Sequence, residues 1–223
     1  MITLFFRGGI LFMLPLLLAS IAVITIAIER IWKFRQARID YDQFRQQIED
    51  AMRSDGLPAA IQVSRQVPGP VARVWQTGLE STRLPLQLLR EKMEAVSIVE
   101  VERLERHLPV LSVIAQVAPL VGILGTVWGM IHAFEGVAGG LALGAGVDGE
   151  LLAEGIGQAL VTTAAGLAVA IPATLAHHFL ASQVDGFISQ IERSFSDIVE
   201  LLPRKKKIPA KTPTPSQPVA TEA

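Results

Sequence analysis

The chain has 223 residues, of which half are hydrophobic and only 18% charged, and its mean hydropathy is +0.42. The net charge of -1 says little by itself; the segregation of charge along the chain is the informative quantity. With no cysteine, disulfides, thiolate nucleophiles and cysteine-ligated metals are excluded, and neither a cofactor nor a nucleic-acid partner is expected.

Three uncharged runs organise the sequence: Gly8 to Ile28 (21 residues), Leu108 to Phe134 (27) and Gly155 to Val184 (30). Each exceeds the roughly 20 residues that cross about 30 Å of hydrocarbon at about 1.5 Å per residue. An all-α membrane protein with three spans and a helical cytoplasmic domain is therefore predicted. Of the 20 basic residues, 13 lie between Arg30 and Arg106 and six between Arg193 and Lys211, whereas the 86 residues 107–192 hold none. Lys and Arg collect on cytoplasmic flanks. Segments 30–107 and 185–223 are thus placed inside, and the N-terminus and the 135–154 connection outside.

In chain order, residues 1–29 form the first span. A signal peptide is the rival reading of this segment, but the apolar run is long, no clear small-x-small cleavage site follows it, and Arg30, Lys33, Arg35 and Arg38 form a stop-transfer flank. The cytoplasmic domain, 30–107, reads as short helices broken at Gly56 to Pro58, at Pro68-Gly69-Pro70 and at Pro85. Tyr41, Phe44, Ile48 and Met52 share one helical face, as do Leu86, Leu89, Met93 and Val96. These stripes read as packing faces.

The second span, 108–134, carries Gly122, Thr126, Gly129 and Ala133 at steps of four, three and four, so another backbone can approach that face closely. Gly125 and Gly129 add a GxxxG pair. The third span, 155–184, repeats the device with Gly155, Ala159, Thr163, Gly166 and Ala170. Two such faces in consecutive spans imply a tight hairpin or, equally, helices facing neighbouring subunits. Pro119 and Pro172 are the helix breaks tolerated there because neighbouring groups satisfy the freed backbone. The outer connection, 135–154, is Gly-rich and carries acids without a base; it reads as flexible linkage, since no P-loop lysine follows its glycines. The tail from Arg204 is Lys- and Pro-rich, with basic residues at 204–207, and reads as disordered chain near anionic phospholipid.

Polar side chains inside the spans are few: Gln116, Thr126 and His132 in the second, Gln158, Thr162 and Thr163 in the third. The bland account returns each Thr hydroxyl to a carbonyl one turn earlier and bonds each Gln across an interface. Clustering of Gln158, Thr162 and Thr163 favours a functional reading, a line of groups beside a hydrated path or a partner's charge. His177 and His178 adjoin, so their rings point about 100° apart and do not readily share a metal; no metal site is expected. No Ser-His-acid arrangement is localised, and the chain does not read as an enzyme.

The runs APLVGILGTVWGMIHAF (118–134) and GIGQALVTTAAGLAVAIP (155–172) resemble the two signature helices of the MotA/TolQ/ExbB proton-channel family. Three spans with a cytosolic domain between the first two make the chain more similar to the ExbB and TolQ branch than to the four-span MotA branch. The resemblance implies a homopentamer enclosing a dimer of a single-span ExbD- or TolR-like partner, with a TonB- or TolA-like protein beyond it, driven by proton flow. It places the family's two threonines on Thr126 and Thr163, and with Thr162 and Gln158 these become the expected pore lining. The acid that many ExbB and TolQ members carry in the third helix falls on Gln158. A glutamine exchanges no proton, so any titrating group inside the ring must come from the partner. Glu154, one turn earlier, reads as a solvated loop acid. A non-conducting scaffold that kept the family packing is the alternative.

Overall fold

The computed structural model describes residues 10–142 and 149–201, and among them there are seven helices and no strand. They are α1 (Ile10–Ala37), α2 (Tyr41–Ser54), α3 (Leu57–Gln66), α4 (Pro70–Glu80), α5 (Leu86–Glu105), α6 (Leu108–Ala142) and α7 (Gly149–Leu201). Among the described residues three helices are long and apolar enough to cross a membrane, and the apolar stretches are those of α1, α6 and α7. This is an all-α, multi-pass membrane fold.

The short helices end where the backbone demands it. Asp40 caps α2 by accepting a hydrogen bond from the Gln43 N–H at 3.1 Å, and Pro58 and Pro70 sit in first turns, where the missing N–H costs nothing. Gly69 has φ 128° and passes so close to α1 that a Cβ would stand 3.0 Å from the Ala37 carbonyl oxygen. Only glycine meets both conditions without strain.

A continuous core is built where α2, α4 and α5 pack on the lower half of α7. Phe44, Ile48, Trp75, Leu79, Leu89 and Met93 are buried against Leu180, Val184, Phe187, Ile191 and Ile198. Phe34 of α1 meets Phe187 edge-on at 5.9 Å, and Phe44 meets Trp75 likewise. Of the two apolar stripes, Tyr41, Phe44, Ile48, Leu89 and Met93 are buried, Met52 and Val96 are half-buried, and Leu86 is exposed. Towards the other end, a second cluster joins Leu16 of α1 to Ala118 and Ala170.

Two features differ from the sequence expectation. Residues 135–142 and 149–154 of the Gly-rich connection are helical, and only 143–148 lie outside the described residues. Glycine costs a helix about 1 kcal/mol relative to alanine and so weakens it here without forbidding it. Residues 185–201, for which no helix was specified, continue α7, a single 53-residue helix about 80 Å long. The expectation of disorder, made for the tail from Arg204, lies outside the described residues. Pro119 and Pro172 lie inside α6 and α7 without ending them.

Candidate functional site: the seam between α6 and α7

Small residues let α6 and α7 run antiparallel in near backbone contact. A Cβ added at Gly122 would lie 3.0 Å from the Thr162 carbonyl oxygen, at Gly125 2.8 Å from the Thr162 hydroxyl, and at Gly129 3.2 Å from the Gly155 carbonyl oxygen. A Cβ at Gly166 would lie 2.6 Å from the Ala118 carbonyl oxygen, and one at Gly155 would press on the Ala133 methyl. Ala159 and Ala170 are buried in the same seam. With no hydrophobic force to separate lipid from helix, such contact is what binds helices in a bilayer.

The four polar residues expected to line a path are divided by this packing. Thr162 departs from that expectation: it is 0% exposed, enclosed between the helices against Gly125, and its hydroxyl donates to the Ala159 carbonyl at 2.8 Å. It fills the seam and faces no open surface. The Thr163 hydroxyl crosses the seam to donate to the Gly122 carbonyl at 3.3 Å. Thr126 is half-buried and donates to the Ile123 carbonyl at 2.6 Å; it lies at the edge of an open apolar groove on α6 floored by Val127, Met130 and Phe134. Gln158 is half-buried on α7. Glu154 is exposed on the same helix.

Around the seam the chain leaves much apolar surface uncovered: Leu120, Leu160 and Leu175 are each more than 60% exposed. Trp128 contacts both Phe12 of α1 and His132, and His132 lies 3.8 Å from Glu135. Among the described residues no group of three or more His, Asp or Glu could hold a metal ion. His177 and His178 meet edge-on at 5.5 Å.

Three polar locks below the seam were not singled out in the sequence. Arg30, read as a flank charge, is 3% exposed; its guanidinium reaches His107 Nδ1 at 2.7 Å and donates to the Arg103 carbonyl at 3.0 Å, tying α1 to the α5–α6 junction. Glu100 is 5% exposed and accepts from Arg73 at 2.6 Å and Arg103 at 2.7 Å. The Tyr41 hydroxyl donates to Asp197 at 2.7 Å, and Arg45 sits 3.3 Å from the same carboxylate. Burial pushes the Tyr41 phenol up to about 12, with Asp197 adding to the shift. Apart from Arg103, three residues from Glu100, these partners lie 27 to 156 residues away and leave no local signal. The one available hint was Glu100 standing between Val99 and Val101 with Arg103 one turn on.

The model of the MotA/TolQ/ExbB proton channel family matches residues 66–193, more than half of the chain and the whole of the seam. The chain belongs to this family. An ExbB-like biopolymer transport protein from Synechocystis sp. is 34% identical over 203 residues, covering 87% of this chain and 78% of that relative. The biopolymer transport protein ExbB of Neisseria meningitidis serogroup A is 32% identical, with 74% and 78% covered. The Tol-Pal system protein TolQ of Haemophilus influenzae is 31% identical over 151 residues, covering 66% of this chain and 61% of TolQ. The family match starts at the end of α3, so it includes α4 to α6 and most of α7, while α1 lies outside it.

Proposed function

We propose that this chain is the ring subunit of a proton-motive-force-driven motor in a bacterial inner membrane. Five copies enclose a dimer of a single-span ExbD- or TolR-like partner, and proton flow is turned into mechanical work on the cell envelope or on outer-membrane transport, through a TonB- or TolA-like protein. Family membership and the ExbB and TolQ relatives support this reading. The observation that carries it is the position of Thr126 and Thr163 on a rigid seam, one at the edge of an open face and one spanning the two helices, in a chain with broad apolar surface left for neighbours. Thr126, Thr163 and Gln158 present hydrogen-bonding groups to the partner, and the buried Thr162 holds their helices together. The Lys and Arg bias supports a periplasmic N-terminus and a cytoplasmic C-terminus.

Gln158 favours a second reading. Without an acid there, the chain is a non-conducting scaffold unless the partner supplies the titrating group. Copurification from native membranes in mild detergent, with mass spectrometry, separates the two. Recovery of a single-span protein bearing an intramembrane Asp, at a ratio of roughly five to two, is expected for a closed ring around a dimer. Alanine at Thr126 and Thr163 together then abolishes partner-dependent proton flux while the complex still assembles. Recovery of the chain alone, or unchanged flux in the double variant, refutes the motor.

A further inference from the structure

Beside the core, α5 and the lower part of α7 leave a groove of about 680 Å³. Its floor is apolar, with Ile98, Ile191 and Phe195, and its rim is acidic on both sides: Glu94, Glu102 and Glu105 from α5, Glu192 from α7. All four carboxylates are exposed, and among the described residues none is in an ion pair, unlike the neighbouring Glu100 with its two arginines. Four like charges around one apolar trough repel one another until a cation enters.

The chain carries a suitable occupant close by. Six residues after Phe195 the described part of α7 ends at Leu201, and the sequence goes on Leu-Pro-Arg-Lys-Lys-Lys-Ile, with four consecutive basic residues at 204–207 and an apolar one at 208. We infer that the Arg204–Ile208 segment of each chain folds back into the α5–α7 groove of the same chain, its cations on the glutamate rim and Ile208 on the apolar floor.

Reach decides between the groove and the other acidic surface, the bilayer. The third uncharged run ends at Val184, and the 17 further residues of α7 carry its end about 25 Å below that point. Lipid charge is screened over a Debye length of about 8 Å. Glu192 lies only nine residues before Leu201, about 14 Å along the helix. Residues 204–207 are three to six positions past Leu201, an extended reach of roughly 10–20 Å. The basic cluster therefore meets the groove within its own span. Individually such exposed pairs are weak; a tethered cluster facing four carboxylates gains from high effective concentration. Neither proton flow nor a partner enters this inference, so it stands or falls separately from the motor.

The test is carbodiimide coupling of the full-length protein in nanodiscs, which joins a lysine amine to a carboxylate in direct contact, followed by peptide mass spectrometry. Isotopically light and heavy chains are mixed before reconstitution, so links within one chain are told from links between chains. Links from Lys205, Lys206 or Lys207 to Glu94, Glu102, Glu105 or Glu192 within one chain are expected. Their yield should be equal in zwitterionic and phosphatidylglycerol-containing discs. It should fall about tenfold from about 50 mM to about 0.5 M salt, as the Debye length contracts from about 14 Å to about 4 Å. Replacing Glu94, Glu102, Glu105 and Glu192 together by glutamine should remove the links without unfolding the chain, because every altered side chain is exposed, and any lysine links that remain then mark another surface. Light-heavy links would assign the groove to a neighbouring copy. Absence of groove links, or their loss on adding anionic lipid, would assign the cluster to another surface. Each of these results overturns the inference.

Discussion

Gly166→Ala tests whether the seam holds α6 and α7 by backbone proximity. The added methyl would stand 2.6 Å from the Ala118 carbonyl oxygen and 3.1 Å from Gly122 Cα. Ordinary contact begins at 3.4 Å, so the first gap is short by 0.8 Å, and the obstruction is backbone that no rotamer change can remove. Parting the helices also loosens the neighbouring contacts at Gly122 and Gly125. Overpacking of this kind costs about 1–3 kcal/mol, and the gain in helix propensity of about 1 kcal/mol offsets part of it. A net loss of about 0–2 kcal/mol is expected, against a gain for the control. Gly186→Ala is the internal control: it lies on α7 with nothing within 4 Å of the new methyl, so it should gain up to about 1 kcal/mol from propensity alone. Reversible unfolding of both variants in mixed micelles, followed by helical circular dichroism, reads the difference. Equal stability of the two would refute close packing at Ala118–Gly166.

Glu100→Gln leaves Arg73 and Arg103 facing a neutral amide in a nearly buried site; a loss of about 1–3 kcal/mol is expected in the same assay, shrinking in an Arg73→Ala background. Arg30→Ala frees the carbonyls of Arg103 and Leu104, and hydrogen exchange should rise at the α5–α6 junction before it rises elsewhere, with a stability loss of about 1–3 kcal/mol. Tyr41 has a folded pKa raised from 10.0 to about 12, so its contribution is fully present below about pH 10 and is lost as pH rises towards 12, by roughly 2–3 kcal/mol at the limit. Tyr41→Phe should abolish that alkaline slope while lowering stability near neutral pH by about 1 kcal/mol, the worth of the hydrogen bond to Asp197. An unchanged slope between pH 9 and 11 would place the titration elsewhere.

The spans were legible because charge is costly in hydrocarbon: uncharged runs of 21, 27 and 30 residues mark α1, α6 and α7 without reference to any contact. Small residues at steps of three and four likewise marked the faces of α6 and α7, since helical periodicity is local. Periodicity alone left two partners possible for those faces, and the contacts of Gly122 with Thr162 and of Gly166 with Ala118 show each helix facing the other within one chain. Sequence also grouped Thr126, Thr162 and Thr163 as equivalent hydroxyls. Rotation of α7 against α6 separated them, burying Thr162 at 0% exposure, bridging through Thr163 and leaving Thr126 at an open edge. The same holds for charge: composition placed Arg30 among stop-transfer residues, but its partners lie 73 to 77 residues away, and a bond closed over that distance exists only once the chain is folded. What is local, length, polarity and helical face, the sequence determined by itself; which side of a helix is sealed, and which distant charge it meets, only the tertiary packing decided.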